Sequence, residues 1–170
     1  MRAALRPLAR RLAAYAIDIT LLAVVLIPVA FGIQQVFGYR PDTGVGVWLA
    51  SLVEISLPSW AYFTLSDASS GGATFGKRLL GLRASFVDGG RIGLWPALAR
   101  TAIKLIPWEL THLTFFALSP QLGTFTGLQL GLLWVVYGLF ALYLIVALRQ
   151  RGERSLHELV VGTAVRRSGA

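Results

Sequence analysis

Three carboxylates and one histidine lie inside long apolar stretches of the sequence: Asp18, Glu54, Glu109 and His112. A charged side chain at mid-membrane costs about 2.5–3.5 kcal/mol on insertion scales, so each needs a partner, water or a proton. At a helical rise of about 1.5 Å per residue, Asp18 and Glu109 fall at similar depths, Glu54 about 10 Å further across and His112 between them. This predicts a polar ladder suited to a proton or cation path. The alternative is four buried hydrogen-bonding struts.

The first helix carries a second polar feature on the face of Asp18. Arg11, Tyr15 and Asp18 are four and three residues apart, so they share one side of a helix. Arg11 lies near the membrane edge, where a long side chain reaches the phosphate head groups. We expect it to act either as such an anchor or as the charge that keeps Asp18 ionised.

Composition places the chain in the membrane. Of its 170 residues, 55% are hydrophobic and 14% are charged, against about 25% charged in a soluble domain. The net charge of +8 comes from basic residues that flank the apolar runs, so we do not predict nucleic-acid binding. The chain has no cysteine, and we find no metal-ligand spacing and no nucleophile–base set. We therefore predict one membrane domain over residues 1–170, without cofactor, metal or enzyme activity.

Apolar runs and charge predict an all-α integral membrane protein with four spans. The spans are residues 12–32, 46–65, 103–118 and 127–148, the third being short or tilted and preceded by an interfacial helix. All Lys and Arg residues except Arg40 lie in residues 1–11, 66–104 and 149–170. The positive-inside rule then places both termini in the cytoplasm of a multi-pass protein of the cell membrane. In the alternative, residues 94–118 lie flat and the chain crosses three times.

Two glycine patterns have more than one interpretation. Gly71–Lys77, GGATFGK, fits part of a phosphate-binding loop, but Arg78 stands where Ser or Thr is needed. We expect a sharp turn below the membrane instead, with Lys77 and Arg78 on lipid phosphates. A second pattern starts the last span, where glycines four residues apart allow close helix approach, either inside the monomer or at a homodimer face. Its members are Gly123, Gly127 and Gly131.

Three sequence blocks together resemble the RDD family of small bacterial membrane proteins. They are RLAAYAID at residues 11–18, GATFGKRLLGLRASFVDGGRIG at 72–93 and RSLHELVVGTAV at 154–165. The resemblance assigns the family's name-giving arginine and two aspartates to Arg11, Asp18 and Glu158, where glutamate replaces the second aspartate. It also matches Lys77, Arg78 and Arg83 to the second block and His157 to the third.

The latter two blocks predict a small cytoplasmic element. Residues 84–87 and 160–165 have strand character, and we expect them to pair beneath the helices. This pairing would bring Glu158 near Lys77, Arg78 or Arg83 and form an ion pair at the membrane surface.

The function predicted first is transport of a small cation or proton, with Asp18 as the binding carboxylate and the other three ladder residues as relays. The resemblance points the same way, because transport, including sodium/proton antiport by some members, has been suggested for the family. The alternative is a non-transporting assembly or accessory module whose basic cytoplasmic face binds lipid or a partner protein. A membrane enzyme is a third possibility, which no visible residue set supports.

Overall fold

The computed structural model describes residues 2–119 and 125–168, with side chains from residue 6 onward. It divides into two compact units, each taken by itself below. Unit 1 contains the described parts of Met1–Leu21, Trp60–Lys104 and Leu142–Ala170, and unit 2 contains Leu22–Ser59 and the described parts of Leu105–Ala141.

The described residues are mostly helical. Seven α-helices, two π-helical segments and two strands follow one another along the chain. They are α1 (Arg2–Phe37), α2 (Gly44–Ser51), π1 (Leu52–Ser56), α3 (Leu57–Ala68), α4 (Phe75–Leu79), β1 (Leu82–Phe86), α5 (Leu94–His112), π2 (Leu113–Ala117), α6 (Gly127–Arg149), α7 (Leu156–Val161) and β2 (Thr163–Arg167).

Among the described residues, three helical stretches are long and apolar enough to cross a membrane: Arg6–Phe37, Gly44–Ala68 and Gly127–Arg149. They cover the predicted spans 12–32, 46–65 and 127–148. The remaining predicted span, 103–118, falls on the end of α5 and on π2, so the count of four stays a prediction. Large apolar side chains on these stretches are exposed, Val36 by 81% and Trp134 by 75%. Exposed apolar surface of this extent is typical of a lipid-facing helix.

Both π-helical segments belong to unit 2, and the sequence explains the first. Pro58 has no backbone N–H and cannot donate to the carbonyl of Glu54 four residues earlier. The helix widens there instead, and the Leu57 N–H donates to the Leu52 carbonyl five residues back. A bond of the same kind, from the Leu118 N–H to the Leu113 carbonyl, closes π2. Single π-helical turns are often found at functional sites.

The predicted pairing of two strands is confirmed. Strands β1 and β2 pair antiparallel in unit 1, with Leu82 opposite Arg167 and Phe86 opposite Thr163. The predicted start of the second strand at residue 160 is wrong, because Leu156–Val161 forms helix α7. Ser155 and Glu158 form a capping box at its start, and Gly162, with φ of +71°, ends it.

A first prediction concerns the close approach of α4 to α1 in unit 1. A Cβ added at Gly76 would collide with the Ala14 carbonyl oxygen and lie 3.0 Å from Asp18 Oδ1. Gly76→Ala should therefore lower the free energy of unfolding by about 1–3 kcal/mol, as overpacking does. Thermal unfolding in detergent measures this loss. The control is Gly71→Ala in the loop before α4, where an added Cβ meets no described atom within 4 Å. Equal melting temperatures for the two variants would contradict the close approach.

Candidate functional site

Asp18 lies in a closed cradle of donors in unit 1. Its side chain is 1% exposed. Oδ1 accepts hydrogen bonds from the Tyr62 hydroxyl and the Gly76 backbone N–H, both at 2.7 Å, and Oδ2 accepts one from the Thr74 hydroxyl at 2.5 Å. Thr74 is the N-cap of α4, and its extended backbone aims the hydroxyl at α1. Asp18 thus fixes the loop before α4 to the first helix.

Asp67, at the end of α3, lies between two cations. It is 1% exposed. Oδ1 forms an ion pair with Lys77 Nζ, and Oδ2 lies 3.3 Å from Arg100 Nε. A buried carboxylate is stable only when opposite charge and hydrogen bonds replace the water that it loses. Lys77 on α4 and Arg100 on α5 supply both.

Arg100 connects this pair to a second buried acid. The arginine is 3% exposed and Glu158, on α7, is fully buried. Arg100 Nη2 lies 3.6 Å from Glu158 Oε1, and Nη1 donates to the Thr163 hydroxyl at the start of β2. Arg11 on α1 forms an ion pair with the other oxygen of Glu158. Alternating charges therefore run through unit 1 as the ion-pair chain Lys77–Asp67–Arg100–Glu158–Arg11.

The expected pairing of Glu158 with a basic residue of the second block is wrong. Its partners are Arg11 and Arg100, because the capping box turns the Glu158 carboxylate back toward Ser155, whose hydroxyl Arg11 also contacts at 2.9 Å. Lys77 is directed at Asp67 and not at a lipid phosphate. Arg78 Nε donates to the Ala73 carbonyl at 3.0 Å.

Two more groups of unit 1 lie beside the ion-pair chain. Lys104 places its ammonium 3.3 Å from the centroid of the Phe63 ring and 5.9 Å from that of Tyr15, so it makes cation–π contacts. His157 is half-buried, and its buried Nδ1 has no hydrogen-bond partner within the described part of the chain. Burial lowers the pKa of His157 well below its usual value, and the positive charge of Arg100 adds to this effect. The imidazole is therefore neutral at neutral pH.

The other three predicted path residues, Glu54, Glu109 and His112, belong to unit 2. Glu54 Oε2, on π1, accepts from Gln34 Nε2 at 2.8 Å, and Glu109 Oε2 accepts from the Ser56 hydroxyl at 3.1 Å. His112, just before π2, has Nδ1 3.0 Å from the Trp108 carbonyl oxygen. A carbonyl only accepts, so Nδ1 donates there and the neutral ring keeps Nε2 as an acceptor.

A cleft of about 550 Å³ in unit 2 brings Glu54 and His112 to one surface. Gln34, Gln35 and Arg40 also line it. The structure thus places two of the four predicted path residues on one cleft and a third, Glu109, in the same unit. The lining combines a carboxylate, an imidazole and side-chain amides, which can exchange protons or replace the water around a small cation.

The family model of the RDD family matches residues 5–162. The chain belongs to the RDD family. No curated protein and no solved structure matches it. With its long apolar helices, this RDD protein is a membrane protein. The resemblance assigns Arg11, Asp18 and Glu158 to the three residues that give the family its name. Arg11 and Glu158 form a direct ion pair. Asp18 lies in the same unit and is hydrogen-bonded by neutral donors.

Sequence reasoning missed several members of this arrangement. The sequence-based predictions assign no role to Asp67, Arg100, Lys104 or Tyr62. A signal existed for Arg100 and Lys104, whose spacing of four residues places them on one face of α5. The sequence predicts an interfacial helix at this point, whereas Arg100 is buried against Asp67.

The predicted glycine face falls partly outside the described residues, because Gly123 is not among them. Gly127 and Gly131 on α6 are exposed, and an added Cβ at either would meet no described atom within 4 Å. This favours a face open to lipid or to a second copy over packing inside the monomer.

The ion-pair chain predicts a large cost for neutralising Glu158. Glu158→Gln leaves Arg11 and Arg100 without the charge that balances them, so the free energy of unfolding should fall by about 3–5 kcal/mol. Thermal unfolding in detergent measures the change. Glu153→Gln is the matched control, because Glu153 is exposed and its neutralisation should change stability by no more than about 0.5 kcal/mol. Similar losses of stability in both variants would show that the buried ion pairs of Glu158 do not stabilise the fold.

Burial of His157 predicts a loss of stability in acid. At pH values below the usual histidine pKa of about 6.5, His157 binds a proton in the unfolded chain but not in the folded chain. The free energy of unfolding therefore decreases as the pH decreases. The slope approaches about 1.4 kcal/mol per pH unit. Between pH 7.5 and 5.5, the free energy of unfolding should therefore change less with pH in His157→Gln than in wild type. His112→Gln is the control and should retain the His157 part of the slope. Parallel curves for His157→Gln and wild type would refute the idea.

Proposed function

We propose that this RDD-family membrane protein carries a small cation or a proton across the membrane, with the Glu54 carboxylate as the binding group. The observation that carries the proposal is the cleft of unit 2, which Glu54 and His112 both line. An ionisable group within a spanning helix is costly, and such groups commonly mark ion or proton pathways. We assign no catalytic role to these residues.

Local geometry supports this assignment for Glu54. The residue lies on π1, inside the candidate span Gly44–Ala68. Its partner Gln34 is a side-chain amide, which can rotate away more easily than a backbone group. A cation could then replace the amide at the carboxylate, and a proton could do the same. Competition of a proton and a cation for one carboxylate is the basis of antiport.

His112 and Glu109 are the proposed relay groups of unit 2. The Nε2 atom of His112 is the acceptor that would take a proton at the cleft, since its Nδ1–H is directed at the Trp108 carbonyl. Glu109 contacts Ser56, which lies two residues after Glu54 on π1. We propose that residues 103–118 cross the membrane, that both termini are cytoplasmic, and that Gly127 and Gly131 contribute to a homodimer face.

For Asp18, the sequence-predicted carrier, the contacts favour a structural role. Three donors hold its carboxylate, and one of them is a backbone N–H that cannot rotate away. We propose that Asp18 holds the cytoplasmic loop in place while ion exchange takes place at Glu54.

Reconstitution into liposomes tests the transport proposal. Under an imposed pH gradient, wild type should release protons when Na⁺ or K⁺ is added. Glu54→Gln should reduce the rate to that of empty liposomes, because an amide neither binds a proton nor balances a cation. A pH-sensitive dye trapped inside the vesicles reports the flux.

The control for this experiment is Asp88→Asn, which neutralises an exposed carboxylate on a turn and should keep the wild-type rate. Equal flux for Glu54→Gln and wild type would remove Glu54 from the mechanism. Asp18→Asn separates the two acids. Protein that remains folded but loses flux would return the carrier role to Asp18.

A second candidate function, an accessory or assembly module, is favoured by the ion-pair chain of unit 1. Asp67, Arg100 and Glu158 are each held by opposite charge, as expected of a fixed scaffold. This candidate predicts a folded protein without cation-dependent flux that co-purifies with another membrane protein. Flux in wild type together with its loss in Glu54→Gln would exclude it.

A further inference from the structure

We propose that a second cleft, in unit 1, binds the headgroup of an anionic phospholipid. This arginine cleft has a volume of about 1020 Å³. Its charged lining consists of six arginines and one glutamate: Arg6, Arg10, Arg11, Arg154, Arg166, Arg167 and Glu153. The excess of positive charge identifies the ligand as an anion. A guanidinium group can donate two parallel hydrogen bonds to two oxygens of one phosphate.

The arginines divide into fixed and exposed members. Arg11 is held by Glu158 and the Gly152 carbonyl, and Arg154 donates to the carbonyls of Thr163 and Glu158. These two belong to the scaffold of the cleft. Arg6 and Arg10 are exposed, and their spacing of four residues places them on one face of α1. They can therefore close on a phosphate that enters the cleft.

Apolar side chains from α1, from both strands and from the turn after β1 form the rest of the lining. They are Pro7, Ala9, Leu82, Val87, Ala164 and Val165. A free phosphate would gain nothing from these groups, whereas the glycerol and first acyl carbons of a phospholipid would cover them. The combination of arginines and apolar side chains therefore favours an amphiphile over a small soluble anion.

The position of the cleft along the chain gives the same answer. Arg6 begins one candidate span, Arg6–Phe37, and Arg149 ends another, Gly127–Arg149, only four residues before Glu153. The cleft thus lies beside the ends of two candidate spans, where lipid phosphates are expected. Basic residues at this level are attracted to anionic lipid.

Lipid-dependent stability tests the proposal without any flux measurement, so it stands apart from the transport hypothesis. Purified protein in detergent is mixed with phosphatidylglycerol, with phosphatidylcholine of the same acyl chains, or with soluble glycerol phosphate. Phosphatidylglycerol should raise the melting temperature of wild type, and the other two should not. Native mass spectrometry should show one retained phosphatidylglycerol. Arg6→Gln combined with Arg10→Gln should abolish most of the shift and of the retention.

The matched control removes two exposed arginines that do not line the cleft, by combining Arg91→Gln with Arg149→Gln. It should keep the wild-type shift, although Arg149 also lies at a span end. Equal loss in both double variants would show diffuse charge attraction and overturn the site. A shift with glycerol phosphate alone would reassign the cleft to a soluble anion, and equal shifts with both lipids would reject anion recognition. Arg167→Gln is a second variant on β2 and should lose part of the shift.

Discussion

The pairing of buried charges in unit 1 is the constraint on which its structure depends. Moving an ion from water into a protein interior costs several kcal/mol, and attraction to a partner repays this only at good geometry. Glu158 forms a hydrogen-bonded ion pair with Arg11 through Oε2, and the Arg100 guanidinium lies 3.6 Å from Oε1. Because these residues come from α1, α5 and α7, the three helices must be positioned together before any one charge is stable.

This internal pairing also determines which charges remain on the surface. The chain has twice as many basic as acidic residues, 16 against 8, and in unit 1 Asp67 and Glu158 are already occupied by cations. The exposed arginines therefore contribute an excess of positive charge near the span ends. Such charge keeps a segment on the cytoplasmic side, and the arginine cleft would turn the same charge into recognition of a particular lipid.

The features that could be predicted from the sequence are those that a single segment determines. Apolar runs located the three long helices, and strand character located the pairing of β1 with β2, because both are periodic properties of short stretches. Contacts between residues distant along the chain could not be predicted. Asp67 and Arg100, for example, are 33 residues apart and meet only in the fold. The capping box of Ser155 and Glu158 was a visible helix signal, but the valines that follow were read as a strand.

The two units treat their carboxylates differently, and this difference decides where ion exchange is proposed. A transported ion must displace the groups that hold a carboxylate. At Asp18 it would have to displace a backbone N–H, a threonine and a tyrosine hydroxyl from a side chain that is 1% exposed. At Glu54 the partner is a glutamine amide, and the carboxylate lines a cleft. The proposed exchange therefore requires less rearrangement at Glu54 than at Asp18.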